Sequence, residues 1–319
     1  MWTFDYIRRS CRFVAENSEF VHIRHDKIDE YAMRLARTRP DKPQMDINCH
    51  YIGHGDDTVA FFVILNSINF GSGYFPYLKK RPGMSGYYTI ASELNDFFKK
   101  APLRAGDLLN ITPGDCAAML GQDADNHIVR ELMELYAISL KDLANYVKEN
   151  YDSSFTKMIE ASACSSERLV EIISGMPFFK DTAEYKGTQV AFFKRAQILS
   201  LDLNIAFDGQ GIGRFDDLYK LTMFADNLVP HVLRLDGILE YEDSLAEKID
   251  SSELISSGSP EEVEIRACAV DAVERISQLM GGYSKGATPA VVDNILWHRG
   301  QQSYYKKAKP RHRTRTVFY

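Results

Sequence analysis

A mostly α-helical fold with one small β-sheet is what this 319-residue sequence predicts, and three observations carry that reading. Two helix starts are written out in full, Thr112-Pro113-Gly114-Asp115 and Ser259-Pro260-Glu261-Glu262. In each, a hydroxyl residue can accept an orphaned backbone N–H, and Pro takes the first helical position, where its missing N–H costs nothing. Residues 127–149 keep apolar side chains at helical spacing throughout. Strand signals are few, since only Met84–Ile90 and Thr188–Phe193 concentrate β-branched and aromatic residues. No internal repeat, low-complexity linker or composition break interrupts the chain, so residues 1–319 are read as a single domain.

The first element with a distinctive pattern is a helix over Asp57–Phe70. Val59–Leu65 is apolar without a break, which predicts burial on every side. Asn66 and Asn69 then fall three apart and face nearly the same way, either to satisfy backbone groups or to read a ligand. Gly71-Ser72-Gly73-Tyr74-Phe75-Pro76 follows, a stretch whose backbone can turn tightly and approach something closely. Met84–Ile90 is the first predicted strand, Thr112 opens a helix, and His127–Glu149 forms the next one. Thr188–Phe193 is the second strand and runs directly into a helix over Lys194–Phe207. On that helix Gln197, Ser200 and Asn204 make a narrow polar arc, while Arg195 and Asp202 lie on the apolar side. Lone buried charges are costly, so Arg195 and Asp202 are expected to pair with each other, a ligand being the alternative. Lys194 stands at the strand–helix junction. There an ammonium and free N–H groups can hold one phosphate, or the side chain can snorkel to solvent.

The capping box at Ser259 opens a helix that runs to about Met280 and is closed by Gly281-Gly282. Glu264, Asp271, Glu274, Arg275 and Gln278 share one arc of it, read as a solvated face. Arg266 sits on the opposite, apolar arc and calls for a carboxylate or a phosphate. Lys306, Lys307, Lys309, Arg311, Arg313 and Arg315 form a basic stretch near the end, either a solvated tail or a positive rim over a phosphate-bearing pocket. Thr316-Val317-Phe318-Tyr319 is apolar enough to dock.

Composition narrows the function. Hydrophobic residues make up 45% and charged residues 26%, which suits a globular chain. A net charge of −6 repels a long polyanion unless a basic patch is built locally, whereas a small anion needs only a few cations. No stable nucleic-acid partner is therefore expected. The five cysteines are widely spaced and form no C-x-x-C pair, so neither a structural zinc nor a disulfide framework is indicated. His50 and His54 have metal-ligand spacing but no helix to carry them and no third ligand, so no metal is expected. No apolar run approaches the roughly 18–20 residues of a membrane span, and the first twenty residues are mixed and charged. A reducing, soluble, cytoplasmic setting is the expectation.

Leu221-Thr222-Met223-Phe224-Ala225-Asp226, followed by Val229-Pro230 and Val232-Leu233, resembles the signature of the queuosine salvage proteins, the queuosine 5′-phosphate N-glycosylases. Phe13-Val14-Ala15-Glu16-Asn17-Ser18 resembles the family's N-terminal motif, and Phe192-Phe193-Lys194-Arg195-Ala196-Gln197-Ile198-Leu199 its lysine-bearing helix. Glu262-Val263-Glu264-Ile265-Arg266-Ala267-Cys268 and His312-Arg313-Thr314-Arg315 are similar as well, in the same order. The resemblance implies a helical fold related to helical DNA glycosylases. It implies hydrolysis of queuosine 5′-monophosphate to queuine and ribose 5-phosphate without a cofactor. It also implies that Asp226 is the essential carboxylate, a residue whose position alone would read as a helix N-cap. The chain departs from the family where a Tyr-Arg pair and a Gln are usual, carrying Asn227, Leu228 and His231. Its early helix reads Asn66-Ser67-Ile68-Asn69-Phe70 where the family begins with Asp.

The chemistry fits those residue types. Cleavage at ribose C1′ passes through an oxocarbenium-like state that a carboxylate beneath it stabilises, the role expected of Asp226. A 7-deazapurine lacks N7, so the departing base must be met at its other edges. Asn66, Asn69 and His231 are candidates there, with Phe224 or Phe70 stacking on the ring. Asp202 or Glu264 could meet the cationic amine of queuine. Lys194 is the expected phosphate ligand, with Arg266 as a second cation and Arg195 close by. Two other readings remain open, a base-excision enzyme that flips bases from a polymer and a non-enzymatic helical nucleotide-binding module.

Overall fold

The computed structural model describes residues 3–38, 44–283 and 286–319. Helix α1 (Phe4–Glu16), capped by Thr3, leads to strand β1 (Val21–Ile23) and α2 (His25–Ala36). Next come α3 (Asp56–Ile68), α4 (Gly86–Phe98), α5 (Ala105–Leu108), α6 (Pro113–Met119), α7 (His127–Asn150), α8 (Phe155–Glu160) and α9 (Ser166–Ile173). The hairpin β2 (Thr182–Tyr185) and β3 (Thr188–Ala191) feeds α10 (Lys194–Ala206). Then follow α11 (Leu228–Leu235), β4 (Leu239–Tyr241), α12 (Asp243–Asp250), α13 (Pro260–Tyr283), α14 (Pro289–Gly300) and α15 (Ser303–Lys307). The expectation of a mostly helical chain with little β-structure holds.

Two long helices organise the packing. α13 carries α1, α2, α11 and α14 around it, and α7 carries α3, α5, α6 and α8. α10 packs on α3 and α9. Its N-terminus is entered through Phe193, a bulky residue held at φ 48, in the left-handed region. Such a conformation costs on the order of 1–3 kcal/mol and persists only where the surroundings enforce it.

The expected single sheet is two separate antiparallel ribbons, β1 with β4 and β2 with β3. The β2–β3 turn places both Lys186 and Gly187 at positive φ, matching the right-handed twist of a two-residue hairpin. Met84–Ile90 is not a strand. Ser85 caps α4 by accepting from the Tyr88 N–H, and Ile90, Ala91, Leu94 and Phe98 bury one helical face. Packing overrides the β preference of Tyr87, Tyr88, Thr89 and Ile90.

Thr112 caps α6 as expected, and the Asp115 side chain reaches back to the Thr112 N–H, so a reciprocal box forms here. At Ser259 the hydroxyl accepts from the Glu262 N–H, but the Glu262 carboxylate reaches back to Gly258. Gly281-Gly282 do not close α13, which continues through both to Tyr283; the next residues, 284 and 285, lie outside the described ones. The arc read as solvated on α13 is buried at its three acids, whereas Gln278 is exposed and Arg275 half-buried. Glu264, Asp271 and Glu274 are each under a tenth exposed. Arg8 pairs with Glu274, and Arg12 and Arg275 pair with Asp271, so charges arriving from α1 and from α13 itself cover that face.

Candidate active site

A cavity of about 1540 Å³ opens between the two helix groups. Its wall takes Asn69 and Ser72 from the end of α3, Tyr87 and Tyr88 from α4, and Lys194 and Asp202 from α10. The loop before α11 adds Phe224 and Asp226, and α14 adds Asp293 and Trp297. Arg311 and Arg313 from the final segment reach its mouth. The volume exceeds the ~300–1,000 Å³ usual for a small-molecule site, leaving room for a nucleotide and its solvent.

Asp226 stands at the start of α11. Its Oδ1 accepts from the Leu228 N–H at 2.7 Å and the Val229 N–H at 3.2 Å. The carboxylate is thus gripped in N-cap fashion while it lines the cavity, so capping the helix does not take it out of the site. The loop that presents it is braced from two helices. From α10, Gln197 donates to Thr222 Oγ1 and accepts from the Thr222 N–H, each at 2.9 Å. From α13, Arg266 Nε donates to the Ala225 carbonyl at 3.0 Å, one residue before Asp226.

Arg266 also pairs with Asp181 at 2.7 Å and Glu262 at 3.4 Å, and stacks on Phe192 and Tyr319. It does not line the cavity. Its carboxylate partners are structural, and its bearing on the site is the carbonyl it holds. Asp181 Oδ2 in turn accepts from the Lys194 N–H at 3.2 Å, fixing the first turn of α10.

Lys194 is 7% exposed and lines the cavity, and no described residue forms an ion pair with it. Burial pushes its pKa down, opposed by Asp226 and Asp293, with Arg195 adding to the depression. A buried ammonium without an ion pair at a helix N-terminus has the charge and the setting that suit an anion.

Arg195 and Asp202 do not pair, contrary to expectation. The guanidinium of Arg195 donates to the carbonyls of Asn66, Ser67, Phe178 and Val317, and lies over Phe70 and Phe179. Its charge is spread over four backbone acceptors, and it joins α3 to the final segment behind the cavity wall. Asp202 accepts from Asn66 Nδ2 at 2.8 Å. Burial raises its carboxyl to about 7, against the lowering pull of Asn66 and Lys194.

Asn66 and Phe70 are fully buried behind that wall, while Asn69 reaches the cavity. Phe70 packs edge-on against Tyr136. His231 is buried against the Tyr305 carbonyl at 2.8 Å, outside the cavity lining, and burial lowers its pKa to about 4. Glu264 is remote from the cavity. Its carboxylate collects the N–H groups of Glu19, Phe20 and Val21 and the Tyr185 hydroxyl, tying β1 and the hairpin to α13.

The glycine-rich stretch after α3 does approach something closely, namely the final segment. Gly71 and Ser72 N–H groups donate to the Tyr319 carbonyl. A Cβ on Gly73 would stand 2.4 Å from the Thr314 carbonyl oxygen. Residues 311–316 alternate, with His312, Thr314 and Thr316 buried and Arg311, Arg313 and Arg315 half-buried. The expected docking of 316–319 is seen, with Tyr319 2% exposed.

A family model described as Queuosine salvage protein matches residues 49–319. The chain belongs to the queuosine salvage protein family. Relatives named queuosine 5′-phosphate N-glycosylase/hydrolase agree over nearly the full length. One from Sphaerobacter thermophilus is 33% identical across 97% of this chain and 96% of its own. One from Dictyostelium discoideum is 32% identical across 98% of both chains, and one from Mus musculus 28% across 98% of both.

Two departures from the queuosine salvage pattern have visible structural duties here. Asn227 Nδ2 donates to the His312 carbonyl, and Leu228 packs where a Cβ on Gly300 would meet its Cδ1 at 2.5 Å. Sequence reasoning missed Asp181, Asp293, Trp297 and Tyr87. Asp293 did leave a signal, an acid enclosed in Ala290-Val291-Val292 and Ile295-Leu296 on a helix opened by Thr288-Pro289. A carboxylate inside an apolar helical run is buried with a reason. Among the described residues no helix is long and apolar enough to cross a membrane, and no cluster of three metal-ligating side chains occurs.

Proposed function

We propose that this queuosine salvage protein hydrolyses the N-glycosidic bond of queuosine 5′-monophosphate, releasing queuine and ribose 5-phosphate. One observation carries the reading: a carboxylate, an unpaired buried ammonium and an aromatic ring converge on one cavity, Asp226 and Phe224 from the loop before α11 and Lys194 from the start of α10. Asp226 lies under C1′ and carries the charge that balances the oxocarbenium-like state. The Lys194 ammonium, at the start of α10, holds the 5′-phosphate. Phe224 stacks on the deazapurine, with Trp297 on α14 as a second aromatic surface, and Asp202 and Asn69 face its polar edge. Asn66 acts through Asp202. Arg195, Arg266, Phe70, His231 and Glu264 hold the walls and loops from outside the cavity lining.

The names of the relatives support the substrate class, and the chain's own cations support the phosphate. The lining also includes Lys80, Lys306, Lys309, Arg311 and Arg313, which favours a second reading in which flanking phosphates of a polymer are bound. Lys309 is already paired with Asp250, and Arg311 and Arg313 donate to the carbonyls of Gly300 and Ser252, so the free charge at the mouth is modest. Incubation with queuosine 5′-monophosphate, queuosine and a queuosine-containing oligonucleotide, with detection of free queuine, separates the two. Release from the monophosphate is expected, falling by about 100-fold or more in Asp226→Asn with the fold retained. Release from the oligonucleotide at a comparable rate selects the polymer reading. Undiminished turnover by Asp226→Asn rejects Asp226 as the reacting carboxylate.

A further inference from the structure

We propose that Asp293 is a second catalytic residue, the general acid that protonates the departing base. The inference rests on the hydrolytic reading above. Asp293 projects from α14 into the same cavity as Asp226, is 5% exposed, and accepts a single hydrogen bond, from the Phe224 N–H at 3.0 Å through Oδ1. No described residue donates to its second oxygen or forms an ion pair with it. A carboxyl so placed has one oxygen anchored to the loop that carries Asp226 and the other free to bear a proton.

The charged groups facing it are Asp226, from the loop before α11, and Lys194, from α10. α11, α13 and α15 also pack on or beside α14, yet none of their charged side chains acts on Asp293. Burial first, and then the neighbouring Asp226 charge, push the Asp293 carboxyl well above the usual carboxylate range, while the Phe224 N–H and Lys194 pull the other way. Two carboxyls facing one cavity divide their roles when their surroundings differ. Asp226 meets two N–H groups at the start of α11, a setting that suits an anion. Asp293 meets one and is more deeply enclosed. Asp202 also has a raised carboxyl, but the groups acting on it are Asn66 and Lys194 and not Asp226.

The step balances without another reagent. The C1′–N9 bond breaks and its electron pair leaves with the base. The proton on Asp293 passes to the base, and queuine departs with its deazapurine ring uncharged. Water adds to C1′ and gives its proton to Asp226. Exchange with solvent through the cavity then moves that proton off Asp226 and returns one to Asp293. A base without N7 depends on such a donor, since the atom usually protonated in purine release is carbon.

The pH dependence of kcat/KM for queuosine 5′-monophosphate tests this in wild type, Asp293→Asn and Asp226→Asn. Wild type is expected to lose activity on the alkaline side as Asp293 gives up its proton. Asp293→Asn should be slower by about 100-fold or more near neutral pH and lack that alkaline limb. With 4-nitrophenyl riboside 5-phosphate, whose leaving group departs without a proton, Asp293→Asn should stay within a few-fold of wild type while Asp226→Asn loses both reactions. Asp293→Asn within about threefold of wild type on the natural substrate, or retaining the wild-type alkaline limb, overturns the proposal. Equal losses on both substrates overturn it too, because they mark a purely structural group. If Asp293→Asn does not fold, carboxyl NMR of wild type labelled with 13C-aspartate decides, and an ionised Asp293 at pH 7 overturns the assignment. Failure of the hydrolytic reading looks different, since wild type then releases no queuine at all.

Discussion

Lys194 concentrates the electrostatic logic of the site in one side chain. Its ammonium is buried against desolvation, with two carboxylates in reach but no ion pair, and its own N–H is fixed by Asp181. A phosphate there replaces lost hydration with a charge-assisted bond of about 1.5–3 kcal/mol. That is roughly 10- to 150-fold in kcat/KM, since about 1.36 kcal/mol is tenfold. Lys194→Ala is therefore expected to lower turnover of the monophosphate by that factor and to leave the nucleoside nearly unchanged. Kinetics of both substrates with both proteins measure it, and an unaltered ratio removes Lys194 from phosphate binding. The placement of Lys194 and Asp226 at helix starts was legible in the sequence, because one follows a strand into a helix and the other stands just ahead of Pro230. The partners of Arg195 were not. A guanidinium facing four carbonyls leaves no trace in residue spacing, and a carboxylate seven residues on invited the wrong pairing.

At the scale of elements, the site depends on the final segment lying across the glycine-rich stretch after α3. Gly73 has no space for a side chain because the Thr314 carbonyl oxygen occupies the position of its Cβ. Gly73→Ala must displace residues 311–319, and with them the Arg195–Val317 bond and the Arg311 side chain at the cavity mouth. A loss of about 1–3 kcal/mol is expected, the usual cost of overpacking, read as a lower midpoint in urea. Rapid proteolysis within 311–319 should accompany it, and a midpoint equal to wild type would refute the close approach. The sequence announced that something approaches these glycines but not what, since the partner lies far along the chain. The same limit explains Met84–Ile90. Its residue types favour a strand, and only the core that α4 meets decides for a helix. Helix starts were read more reliably because caps are local, as at Thr112 and Ser259.

For the whole molecule, buried acids make stability depend on pH. The Asp202 carboxyl lies at about 7 when folded, against 3.8 ordinarily. The folded state thus keeps a proton that the unfolded chain releases, and the stability present below about pH 4 is lost as pH rises through 7. Asp202→Asn preserves the shape and cannot ionise. It should melt like wild type near pH 4 and above wild type at pH 8, by on the order of a few kcal/mol in stability. Thermal melts across that range check it, and an unchanged difference between the two pH values would refute it. Helical class could be read from the whole sequence, but the buried arc of α13 could not, because the arginines that cover part of it come from α1. The β1–β4 ribbon has a different consequence, one of time. Val21 pairs with Tyr241, more than half the chain away, whereas β2 and β3 meet across a two-residue turn. The hairpin can form as soon as its residues collapse. The ribbon must wait until the intervening helices have found their places, because closing so long a loop is an entropic cost that only finished packing offsets. Its amides therefore report on the completed molecule, and their exchange with solvent should be slow and should quicken only when the entire fold opens.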